Sequence, residues 1–147
     1  MKKDKRYTSI RQSRDLLANG MRSDTADGHY LLPIDSDDVW VLQYLPTGTY
    51  DEYTVPAWSA GALMLSMPRS VTDKNDIVYD IHVNSIHSPK GDHQSWCVRY
   101  HNEFRRMTWC VSRDDDLISA MVEIFLRLKE SEDRGDLEEG REAGKDA

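Results

Sequence analysis

Apolar residues recur at helical spacing near the start of the chain, alternate through its middle, and return to helical spacing around residue 120. The first segment predicts a helix over 8–19. Thr8 or Ser9 caps it, Ile10, Ser13, Leu16 and Leu17 fall near one stripe, and Gly20 supplies the left-handed residue that closes it. Residues 23–28, Ser-Asp-Thr-Ala-Asp-Gly, read as a turn. Tyr30 to Leu32, Val39 to Leu45 and Tyr50 to Val55 are rich in β-branched and aromatic residues and predict strands. Ser36-Asp37-Asp38 and Pro46-Thr47-Gly48-Thr49 are the turns between them. Pro56 marks a change of element. Ser59 then caps a short helix that Pro68 ends, because proline lacks the N–H the helical ladder needs.

Three alternating segments follow. Ile77, Tyr79, Ile81 and Val83 share one side of a strand, Trp96, Val98 and Tyr100 one side of a second, and Met107, Trp109 and Val111 one side of a third. One apolar face at period two predicts a half-buried antiparallel sheet. Ser112-Arg113-Asp114-Asp115 resembles a capping box. Leu117, Met121, Ile124, Phe125 and Leu128, widened by Ile118 and Val122, then form the stripe of a final amphipathic helix. Strands and helices segregate instead of alternating, so the expected fold class is α+β. It is an antiparallel sheet of four to six strands, with the C-terminal amphipathic helix and shorter helices packed on one face. The expected organisation is a basic flexible arm over 1–7, a single α+β domain over 8–130 and an acidic, disordered tail over 131–147.

Composition sharpens this reading. A hydrophobic content of 39% in 147 residues suits one core. The net charge of −7 is unevenly placed, at +5 over residues 1–14, −8 over 15–128 and −4 over 129–147. An acidic body argues against broad nucleic-acid binding, which needs clustered Lys and Arg, and suits a basic protein surface. No apolar stretch approaches a membrane span, and no apolar region follows Met1-Lys2-Lys3-Asp4-Lys5-Arg6, so the expected compartment is the cytoplasm. Two cysteines are too few for a disulfide framework and form no zinc-type pair, and no cofactor is expected.

Three motifs stand together: Ser13-Arg14-Asp15-Leu16-Leu17-Ala18-Asn19-Gly20, then Asp24-Thr25-Ala26-Asp27, then Pro56-Ala57-Trp58-Ser59 with Leu63 and Met67-Pro68. In this order they resemble a family of small uncharacterised proteins from prophages and mobile elements of Bacteroidales-type bacteria, over most of residues 8–130. The resemblance implies a genomic setting and carries no activity.

Candidate chemistry is sparse. His82, His87, Asp92 and His93 are the residue types of a metal site or of general acid–base work, but their spacing matches no zinc pattern and no nucleophile motif accompanies them. If Val98 opposes Trp109 and Tyr100 opposes Met107, Cys97 falls opposite Cys110 and the two thiols form a redox pair. Trp40 and Trp58 are candidate aromatic anchors for a partner. Lys2, Lys3, Lys5 and Arg6 are the candidate nucleic-acid contacts. The favoured expectation is a non-enzymatic phage or mobile-element accessory protein that binds another protein, with a homo-oligomer as a further option. A weak nucleic-acid binder using the basic arm is the alternative, and a metal-dependent hydrolase using the histidine cluster is the third.

Overall fold

The computed structural model describes residues 6–33, 39–87, 89–91 and 94–139. The class is α+β. Two compact units follow one another, Met1–Ser66 and Met67–Ala147.

The first unit opens with α1 (Ile10–Ala18). Ser9 is its cap: the Ser9 hydroxyl accepts from Gln12 N at 3.1 Å, and Gln12 Oε1 accepts from Ser9 N at 2.9 Å. Thr8, the other candidate cap, is drawn into the core instead. Past a one-turn 3₁₀ helix at Ser23–Thr25, a small antiparallel sheet runs in the order β2-β1-β3, with β1 at Gly28–Leu31, β2 at Val41–Gln43 and β3 at Thr54–Ala57. Pro56 sits inside β3 opposite His29 rather than at a change of element. An edge strand tolerates it, because its missing N–H costs no central ladder bond. Gly28 is where backbone and ring come closest, since a Cβ there would lie 2.9 Å from the Tyr7 ring and 3.0 Å from the Gln43 carbonyl. Tyr30, Val55 and Ala57 form the core of this sheet, with Tyr7, Ile10, Trp40 and Leu42 packed against it. The short α2 (Ala60–Ser66) completes the unit.

The second unit is a five-stranded antiparallel sheet in the order β7-β6-β5-β4-β8. Its strands are β4 (Ser70–Asp73), β5 (Val78–His87), β6 (Gln94–Asn102), β7 (Met107–Asp114) and β8 (Leu137–Glu139), and α3 (Leu117–Asp133) lies between the last two. The helix packs on β6, β7 and β8 with Ile118, Met121, Ile124, Phe125 and Leu128, against a floor that includes Val98 and Tyr100. Each of these fully buried side chains is worth roughly 1.5–3 kcal/mol of transfer free energy.

Three sequence expectations are corrected here. The helix starts later than the capping-box pattern suggests, because β7 continues to Asp114. Asp116 is the cap, its carboxylate accepting from Ile118 N and Ser119 Oγ, while Ser112 donates to Glu123. The ordered chain runs past residue 130: α3 continues to Asp133, and Leu137, 3% exposed, anchors β8 on the edge of β4. Finally, a β-bulge between Tyr100 and His101 moves the partner from Cys110 to Thr108 and leaves Trp109 out of the pairing. Cys110 and Ser112 therefore join the helix-covered face, and Val111 turns to the other one. Among the described residues, no helix is long and apolar enough to cross a membrane.

Candidate functional site

The β6–β7 connection builds the most exposed feature of the second unit. Asn102 ends β6 and holds the loop from both sides, its Nδ2 donating to the Val78 carbonyl at 2.8 Å and its Oδ1 accepting from Arg105 N at 2.8 Å. Arg106 takes a left-handed φ of 53°, a conformation that costs a side-chain-bearing residue about 1 kcal/mol and lets the chain turn back into β7. The loop so fixed presents Phe104 with 96% of its surface exposed, beside the exposed guanidinium groups of Arg105 and Arg106 and the half-exposed Met107. A phenyl ring this bare, on a loop pinned by two hydrogen bonds, gains nothing for the fold of this chain.

The sheet face turned away from α3 is polar. Register places Asp80, His101 and Thr108 in one row across β5, β6 and β7, His82, Arg99 and Val111 in the next, and Asn84, Cys97 and Arg113 in a third. Directly opposed Cβ atoms in such rows lie about 4.5–5.5 Å apart. The His82 and His101 rings meet edge to face at 5.8 Å, and His101 Nδ1 is 2.8 Å from Thr108 Oγ1. The helix α3 lies on the opposite face.

The residues expected from sequence are distributed differently. Trp58 is 0% exposed: its Nε1 donates to Thr25 Oγ1 at 2.9 Å and its N to Thr8 Oγ1 at 3.1 Å, so it is a core residue and not an anchor. Trp40 is half-buried against the first unit's core under the Arg14 guanidinium, 5.8 Å from the ring centre. Lys2, Lys3 and Lys5 lie outside the described residues. Arg6 is docked, donating to Tyr44 Oη at 3.0 Å and stacked over that ring. His82 and His87 are an odd number of residues apart on β5 and point to opposite faces, which breaks the expected cluster, and Asp92 and His93 lie outside the described residues. Among the described residues no group of three or more His, Cys, Asp or Glu side chains is arranged to hold a metal.

The cysteines do not pair. Cys97 opposes Asn84 and Arg113, and Cys110 opposes Tyr100 on the other face: the hairpin pairs Asn102 with Met107, two residues from the register that alternation alone suggests, and the bulge adds one more. Burial pushes the Cys110 thiol up, against the opposing pull of Arg127. Asp114 and Asp116 serve the start of α3.

The motifs behind the family resemblance are explained by the first unit's interior. Asp27 accepts from both the N and the Oγ of Ser59, whose hydroxyl also accepts from Ala62 N and so caps α2. Thr25 receives the Trp58 indole, and Ser13 shares a 2.7 Å hydrogen bond with Thr8. These residues hold the first unit together. In the second unit a cavity of about 290 Å³ is lined by Asp73, Lys74, Asn75, Trp109 and Asp136. Its carboxylates are engaged, Asp73 with the Tyr79 hydroxyl at 2.8 Å and Asp136 with Lys74 at 2.9 Å. No family model, curated protein or solved structure compared with the chain matches it.

Phe104, Arg99, Arg105 and Arg106 were not singled out by sequence reasoning. A signal for the first existed: a phenylalanine between Glu103 and two arginines, in the turn joining two alternating segments, has no place in a core.

Proposed function

We propose that this chain is a non-enzymatic binding module that acts by engaging another protein through the β6–β7 hairpin. The observation that carries the reading is the bare Phe104 ring on a rigid loop flanked by Arg105 and Arg106. Interface hot spots are enriched in large rings and arginines that a partner desolvates. Two hydrogen bonds of Asn102 already hold the loop, which lowers the ordering entropy that binding costs. His82 and His87 are split between the two faces of β5, and Thr8, Ser13, Asp27 and Trp58 are engaged with one another and with Thr25 and Ser59, so the observations support binding better than catalysis. The cytoplasmic and mobile-element setting belongs to the same proposal and rests on the sequence pattern alone.

A photo-crosslinking amino acid at position 104, compared with one at exposed Glu138, tests the reading in cells. A discrete crosslinked partner is expected from position 104 and not from 138. Phe104→Ala should weaken binding of that partner by roughly thirtyfold, the equivalent of about 2 kcal/mol, with the melting temperature unchanged. Equal capture by the wild-type and Phe104→Ala chains would overturn the proposal.

A further inference from the structure

Arg99 stands in the middle of the sheet face turned away from α3, with His82 opposite on β5 and Val111 opposite on β7. Its Nε is buried and donates to no acceptor among the described residues. A guanidinium carries five N–H donors in a planar fork; with Nε buried, its two terminal nitrogens make the edge that an outside carboxylate reaches with two parallel bonds. That edge calls for an acceptor.

The neighbourhood says what kind. His82, His101 and Arg113 share the face with Arg99, and Asp80 is the one carboxylate in the three rows. Along the chain the separation is sharper. Residues 94–113 hold Arg99, Arg105, Arg106 and Arg113 against Glu103 alone, whereas residues 114–139 hold ten acids and three bases. The β6–β7 ribbon is thus a cationic strip on an acidic unit. We infer that this face binds an acidic segment of a protein partner, with a carboxylate of that segment received by Arg99. The inference rests on the partner-binding reading above and adds the partner's chemistry.

A nucleic acid offers phosphates to the same guanidinium, but the observations disfavour it. The three rows include no Phe, Tyr or Trp on which bases could stack. A polyanion must also sit along a chain of net charge −7, while a short acidic segment needs only local complementarity.

The test uses the full chain, ¹⁵N-labelled, and three probes in separate arms: a short oligo-glutamate peptide, an oligothymidylate of the same length and inorganic phosphate. Oligo-glutamate is expected to shift the amide signals of His82, Cys97, Arg99 and Val111 and to lose affinity as salt rises. Arg99→Gln should lower its affinity at least tenfold, and Arg99→Lys nearly as far, since an ammonium cannot reproduce the fork. Arg113→Gln, further from the centre, should lower it by a few-fold and stands in if the Arg99 variants fail to fold. Phe104→Ala should leave oligo-glutamate binding intact, so hairpin-dependent capture and carboxylate binding can fail independently. The inference is overturned if oligo-glutamate leaves those amides unmoved or binds Arg99→Gln equally well. Binding of the oligothymidylate alone would reassign the face to nucleic acid, and binding of phosphate alone would reduce it to a simple anion site.

Discussion

Thr8 is the side chain around which the first unit's polar interior is arranged. It is fully buried, its N donates to the Trp58 carbonyl at 2.9 Å, its carbonyl accepts from Tyr30 Oη at 2.6 Å, and its hydroxyl meets both Ser13 Oγ and Trp58 N. Thr8→Val keeps the shape and removes only the hydroxyl, which leaves the Trp58 N–H and the Ser13 hydroxyl short of a partner. That should cost about 1–3 kcal/mol, read from denaturant unfolding, with the slope of the transition unchanged. Nothing local in the sequence announces this role. A threonine one residue before Ser9 looks like a cap, and its partner Trp58 is fifty residues away. Distance also hid the meaning of Trp58, whose motif reads as a helix start and whose indole is spent inside on Thr25, 33 residues away.

Legibility at the level of elements depended on length and period. The α3 stripe repeats often enough to declare itself: Ile118, Met121, Val122, Ile124, Phe125 and Leu128 are buried as helical spacing selects, while Leu117 is only half-buried and Ala120 and Ser131 join the buried set. The strands β4 and β8 are too short to show alternation, at four and three residues, and take their conformation from the neighbours they pair with. Register was beyond reach for another reason: the bulge at Tyr100 and His101 inserts one unpaired residue and reverses which side chains of β7 face the helix. That reversal separates the cysteines and aligns Arg99 with Val111. The cap of α3 can be tested directly. Asp116→Ala removes the acceptor for Ile118 N and Ser119 Oγ, and a loss of about 1 kcal/mol is expected, seen as a melting temperature lower by a few degrees.

Taken as a whole molecule, the chain has an acidic sequence and an uneven distribution of charge. Two buried phenols set its alkaline limit. Burial, helped by the hydrogen bond to Asp73, pushes Tyr79 from its ordinary value of 10.0 up to about 12, and burial moves Tyr100 in the same direction. A group that keeps its proton longer when folded stabilises the fold fully below its unfolded value and loses that contribution as pH climbs through the folded one. Unfolding free energy is therefore expected to fall between about pH 10 and 12, with Tyr79 and Tyr100 titrating late in a spectrophotometric titration and catching up in denaturant. The α+β class was readable from the switch between periods, while the polar face was not, since it depends on which residues the bulge places side by side. The cationic ribbon also has a kinetic side. A chain acidic over residues 114–139 and basic along β6–β7 is turned by an approaching negative surface before the two touch, so dissolved ions should govern how often an encounter succeeds far more than how long the resulting pair survives.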